Sequence, residues 1–156
     1  MLDEITYRSA SEADIAEFVR LQADEVSARV AAFVRPGTAE TRTAHWQQVL
    51  ARPDTQNYTI EADGTVVGWM SSFQRGPDRE VTYWIDRSFW GRGIASAALA
   101  HLLTLDPVRP LFARVASDNT RSVRVLEKSG FVAVDTERAY APTRGEEIDE
   151  LTFRLD

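Results

Sequence analysis

A mixed α+β fold, with a mostly antiparallel sheet of six to seven strands flanked by helices, is what the sequence predicts, on three observations. Asp63-Gly64 lies between two runs of strand character, residues 57–62 and 65–73, and supplies the positive φ of a tight hairpin turn. A third such run, residues 79–86, follows a short polar loop at 74–78, which makes a meander. The stretch FWGRGIASAALA, residues 89–100, then passes from two glycines straight into small and apolar residues that favour helix.

The other elements follow in order. Residues 4–8 form a first strand, and Ser11 is placed to cap a helix whose apolar stripe is Ile15, Phe18, Val19 and Leu21. Residues 23–34 extend that helix or add another before Pro36 and Gly37 break it, and a further helix runs from about Thr41 to Leu50. Pro107 and Pro110 close the helix that begins after the glycines. Residues 111–115 are a short buried strand, and the helix after it ends at Gly130, a natural left-handed stop. Two terminal strands, near 132–139 and 147–155, complete the sheet.

Composition bounds the function. The 156 residues suit a single domain spanning 1–156, and with 44% apolar and 27% charged residues the composition is that of an ordinary globular chain. There are no cysteines, which excludes disulfides, thiolate metal sites and cysteine nucleophiles. His45 and His101 have no partner at metal-ligand spacing, so no metal is expected. A net charge of −6 argues against nucleic acid as a partner. The absence of a leader-like start or an apolar run of spanning length argues against a membrane and predicts a cytoplasmic protein.

Two glycines before a helix let an extended ligand approach the backbone without meeting a Cβ. The first helical turn offers unpaired N–H donors and about half a positive charge, so a diphosphate is the natural occupant. The P-loop pattern is missing, and GRGIAS lacks the third small residue of a dinucleotide fingerprint.

The run EVTYWIDRSFWGRGIASAALAHLL, followed by ASDNTRSVRVLEKSGF, resembles the GNAT superfamily of acyl-CoA-dependent N-acyltransferases over residues 80–131. Its wording is most similar to the branch that includes ribosomal-protein N-terminal acetyltransferases. The family's phosphate loop, [QR]-x-x-G-x-[GA], falls on residues 90–95. Gly93 and Ala95 match, and Trp90 stands where Gln or Arg is usual.

The resemblance implies acetyl-CoA as co-substrate, its diphosphate held by the amides of Gly91, Arg92, Gly93, Ile94, Ala95 and Ser96. It implies splayed central strands, with the backbone near Ile85 bonding the pantetheine arm, and Asn119 beside CoA. Arg92 is either a phosphate contact or a solvated loop arginine, and Asn119 is equally explained as a helix cap. The acceptor is an amine, of a small molecule or a protein N-terminus, with Phe73 and Trp84 facing it. A homodimer is compatible with the resemblance.

An alkylammonium near pKa 10 must lose a proton before it attacks, and Glu80, on one strand face with Thr82 and Trp84, is the candidate base. A solvated strand-end carboxylate is the other reading of Glu80. The family's tyrosine acid falls on Leu126, which cannot serve; either Ser122, the nearest hydroxyl, donates to the departing sulfur, or a thiolate with a pKa of about 8.5 leaves without a dedicated acid. The expected function is N-acetyl transfer by direct attack. The alternatives are a non-catalytic acyl-CoA-binding module, or transfer with another acyl donor or acceptor.

Overall fold

The computed structural model describes residues 4–156. Its strands are β1 (Ile5–Ser9), β2 (Gln56–Ala62), β3 (Thr65–Arg75), β4 (Asp78–Ile85), β5 (Leu111–Ala116), β6 (Val132–Ala141) and β7 (Glu146–Leu155). The helices are α1 (Ile15–Gln22), α2 (Glu25–Ala31), α3 (Ala39–Ala51), α4 (Ile94–Leu105) and α5 (Thr120–Lys128). The strands form one seven-stranded sheet in the order β1-β2-β3-β4-β5-β7-β6. Every pairing is antiparallel except β4 with β5, which is parallel.

The β2–β3 turn is the expected one, with Asp63 at φ 49° and Gly64 at 82°. The β3–β4 connection is tighter than a five-residue loop. Arg75 pairs with Asp78, and Gly76 at φ 58° with Pro77 makes the turn, so both strands run further than alternation alone indicated. Helix α3 starts at Ala39 rather than near Thr41, because Thr38 and Thr41 cap each other reciprocally. At the far end of α5, Gly130 at φ 96° lets the Phe131 N–H donate to the Leu126 carbonyl at 3.0 Å, the expected glycine stop.

Two large cores and a small cluster of Ala32, Ala116 and Ala141 hold the layers. One large core packs Ile94, Ala98, Leu99 and Leu102 of α4 and Leu126 of α5 against Met70, Val81, Leu111 and Phe153 of the sheet. The other joins Phe18 of α1 and Trp46 of α3 to Trp69, with Trp84 stacked on Trp69 at 5.5 Å. Gly68 belongs to the inner strands for a steric reason: a Cβ there would sit 2.0 Å from the Trp84 carbonyl oxygen. Gly68→Ala must push β3 from β4, and we expect it to lower stability by about 1–3 kcal/mol in denaturant melts.

Two buried carboxylates tie the layers electrostatically. Asp106, past the end of α4, accepts from Arg79 Nε at 2.9 Å and from the Val108 N–H at 3.0 Å. Burial pushes the Asp106 carboxyl up, but these donors and Ser72 outweigh it and leave it below its ordinary value. Asp14 accepts from two Arg8 nitrogens at 2.8 and 2.7 Å, and from Ser11 and Thr59.

Arg8 foremost holds the Asp14 carboxyl down to about 2, against the opposing effect of burial. The folded chain therefore binds that proton more weakly than the unfolded chain, whose aspartates titrate near 3.9. The stabilisation is complete above about pH 4 and is lost as pH falls towards 2, an effect of about 2–3 kcal/mol. Asp14→Asn should flatten that part of the acid limb in urea melts followed against pH.

Candidate functional site

The site begins where two strands part. β4 and β5 pair only through Arg79 with Leu111 and Glu80 with Phe112, while β4 runs on to Ile85 and β5 to Ala116. The central strands are thus splayed. The Asp86 N–H donates to the Val67 carbonyl on the β3 side at 2.7 Å. Alternation turns the amides of Tyr83 and Ile85 the other way, to the edge that β5 has left. On that edge the Ile85 carbonyl accepts from Trp90 Nε1 at 2.9 Å.

A cavity of about 400 Å³ fills the gap, and Ile85, Gly91, Gly93, Ile94, Ala95, Ser96, Asn119 and Ser122 all line it. Gly91 and Gly93 have φ of 79° and 78°, and a Cβ built on either meets nothing within 4 Å. That left-handed backbone favours glycine and leaves the approach to the N-terminus of α4 open. The residues present therefore fit a diphosphate at this corner: open backbone, a twelve-residue helix directed at it, and two lining arginines of α5, Arg121 and Arg124, the first stacked over the Trp90 ring at 4.8 Å. Asn119 both lines the cavity and caps α5, accepting from the Ser122 N–H at 3.3 Å. Arg92 stacks over the Phe89 ring at 5.1 Å and is not among the lining residues.

The loop before the glycines is anchored from the opposite layer. Arg87 donates to Asp24 from Nε at 2.9 Å and Nη2 at 3.1 Å, and Asp24 also caps α2 through Ser27. Arg87 first and Ser27 second hold the Asp24 carboxyl at about 2. This contact brings Ser27, Val30 and Ala31 of α2 to the cavity wall. Nothing in the sequence pointed to them, because the contact joins residues far apart in the chain.

Across β4 lies a second cavity of about 360 Å³, lined by Trp46, Trp69, Phe73, Thr82 and Trp84 together with His45, Arg52, Asn57 and Ser71. Trp84 lines both cavities and so forms the partition between them. His101, by contrast, stacks on Tyr7 at 4.4 Å on the outer side of α4.

Glu80 shares a sheet face with Thr82 and Trp84, since their partners on β3 are Phe73, Ser71 and Trp69. It is 4% exposed, so it is not a solvated strand-end carboxylate. Arg114 Nε donates to its Oε1 at 3.0 Å, while Arg75 lies 3.6 Å from Oε2, beyond hydrogen-bond length. It lines neither cavity and sits beside the second at the point where β4 and β5 part.

Leu126 is 1% exposed and packed in the core. The hydroxyl that meets Ser122 comes from β4: the Tyr83 hydroxyl lies 2.5 Å from Ser122 Oγ, and both residues line the first cavity. Burial pushes the Tyr83 hydroxyl up to about 12, with the Ser122 hydrogen bond pulling the other way.

A family model described as "Acetyltransferase (GNAT) domain" matches residues 4–132. The chain belongs to the GNAT acetyltransferase family. No curated protein matches it. Among solved structures, an N-acetyltransferase from Staphylococcus aureus Mu50 is 22% identical, with 99% of each chain covered and a TM-score of 0.84.

A ribosomal-protein-alanine N-acetyltransferase from Brucella melitensis is 23% identical over 96% of this chain and 98% of that one, with a TM-score of 0.84. A spermidine N-acetyltransferase from Vibrio cholerae, in complex with CoA and spermine, is 14% identical over 97% and 94%, also at 0.84. At these identities the likeness is one of fold, and it accounts for the GNAT sheet with its single parallel junction. Among the described residues no group of three or more His, Cys, Asp or Glu could hold a metal ion, and no helix is long and apolar enough to cross a membrane.

Proposed function

We propose that the chain transfers the acetyl group of acetyl-CoA to a primary amine, of a small molecule or a protein N-terminus, by direct attack. The observation that carries this reading is the junction itself. The outward amides of β4 and the glycine-led end of α4 meet in one cavity, and an aromatic pocket lies behind the shared wall of Trp84. The assignments to Ile85, Gly91, Gly93, Ile94, Ala95, Ser96 and Asn119 rest on their lining the first cavity, and those to Phe73 and Trp84 on their lining the second. Arg92 is assigned to phosphate only through its backbone amide.

Acetyl-CoA supplies an activated acyl thioester, and the residues of the chain do the rest. The α4 end and Arg121 with Arg124 bind its anionic part; the amides of Ile85 and Tyr83 orient its peptide-like arm and offer donors to a developing oxyanion. Glu80 accepts the proton that the amine loses, directly or through a water, at Oε2, which Arg75 does not occupy at hydrogen-bonding distance. Ser122 donates to the departing sulfur. A folded carrier with no acceptor chemistry would use the first cavity alone.

Two measurements test the reading. Acetyl-CoA at about 100 times its dissociation constant should stabilise the chain by roughly 2.7 kcal/mol, and an unchanged melting temperature removes the cofactor assignment. Thiol release across a panel of amines and N-terminal peptides should find an acceptor. Stabilisation with no release by any acceptor would leave an acyl-CoA-binding module in its place.

A further inference from the structure

We infer that Tyr83 is a positioning residue for Ser122: it donates its hydroxyl proton to Ser122 Oγ and so frees the serine's own proton for the sulfur of coenzyme A. The inference rests on the first cavity holding CoA. Three observations carry it. The two hydroxyls are 2.5 Å apart, close to the short limit for O–H···O contacts, so one of them donates to the other. Both line the cavity between the outward amides of β4 and the start of α5. The position at which the family carries a tyrosine is filled by Leu126, which is buried in the core and offers no proton.

By geometry either hydroxyl could be the donor, and that role is assigned to Tyr83. A serine hydroxyl has one proton and two lone pairs, so it can accept from Tyr83 and still donate elsewhere. If Ser122 instead donated to Tyr83, it would keep nothing for a sulfur. The phenol, pushed up to about 12, stays protonated at any working pH, which makes it a lasting donor and a poor proton source for a thiolate near 8.5. The balance of the step is therefore local. The amine nitrogen forms the new C–N bond, the C–S bond breaks with its electron pair going to sulfur, and the Ser122 O–H holds that charge by a hydrogen bond. Tyr83 polarises Ser122 and keeps its proton; of the two protons the nitrogen sheds between ammonium and amide, one goes to Glu80 and the other to solvent, and the thiolate takes its own proton from solvent on release.

The test reads the bound thiol as well as turnover. With saturating CoA, the thiolate fraction near neutral pH is followed by its ultraviolet absorbance in wild type, Y83F, S122A and the double variant. A lost hydrogen bond of ordinary strength lowers that fraction by about 3- to 10-fold in Y83F and in S122A, with the double variant equal to S122A. Arg121 and Arg124 face the same cavity and are unchanged in every variant, so their effect cancels.

With an acceptor in hand, kcat should fall by about the same factor in Y83F while the CoA dissociation constant is unchanged. A wild-type thiolate fraction in Y83F, or a double variant well below S122A, overturns the inference. If wild type binds CoA but turns nothing over, the enzymatic reading fails and the titration still decides the pair; if it binds no CoA, both fall.

Discussion

Gly93→Asp should fold and yet bind acetyl-CoA at least about a hundredfold more weakly, the largest effect that a single side chain at the first cavity is expected to produce. Gly93 caps α4 with φ 78°, and a Cβ there meets nothing within 4 Å. Aspartate is among the non-glycine residues that best tolerate left-handed backbone. The cost to folding is therefore small, about 1 kcal/mol. The cost to the ligand is not. A carboxylate about 5 Å from a phosphate charge at an effective dielectric of about 20 opposes it by about 3 kcal/mol, and a diphosphate carries more than one charge. Gly93→Ala strains the same φ without the charge and should lose far less. Melting curves against acetyl-CoA concentration check both variants; an Asp variant that binds like wild type would place the diphosphate elsewhere on the molecule.

What a reader of the sequence can see of this site is whatever one local segment encodes. Asp63-Gly64 and Gly130 each announce a positive φ within a few residues, and the structure has both left-handed; Gly93, read for its missing Cβ, is left-handed as well. The alternation of β4 likewise puts Glu80, Thr82 and Trp84 on one face. What approaches that face is set across the sheet, and no local pattern carries it. Arg114 reaches Glu80 from 34 residues away, and Tyr83 meets Ser122 from 39. Strand alternation says nothing of what the Tyr83 hydroxyl meets, although a half-buried hydroxyl needs a partner. Arg121 and Arg124 lie three apart in α5, and only the placement of that helix beside the glycine loop brings them to the first cavity. The buried pair of Arg79 and Asp106 left no trace either, because each residue alone looks like a surface charge at the end of an element.

For Glu80→Gln we expect kcat to fall by about 10²- to 10⁴-fold, the usual range for a lost general base, with the CoA dissociation constant unchanged. A carboxamide keeps the shape and can still accept from Arg114, but it cannot take a proton. Turnover would then rely on the fraction of amine already neutral, which rises about tenfold per pH unit below an amine pKa near 10. The deficit is greatest at low pH and shrinks as pH rises, so the ratio of wild-type to variant kcat/KM plotted against pH is the decisive curve. A competing role is structural. Glu80 sits at one of the two residue pairs that join β4 to β5, and its tie to Arg114 helps set where the strands part. That role predicts a lowered melting temperature and a CoA affinity that falls with the distorted junction, but a pH profile parallel to wild type. Because Arg114 is 31% exposed, solvent can compensate its charge in the variant, so the protein should remain folded enough for the two profiles to be compared.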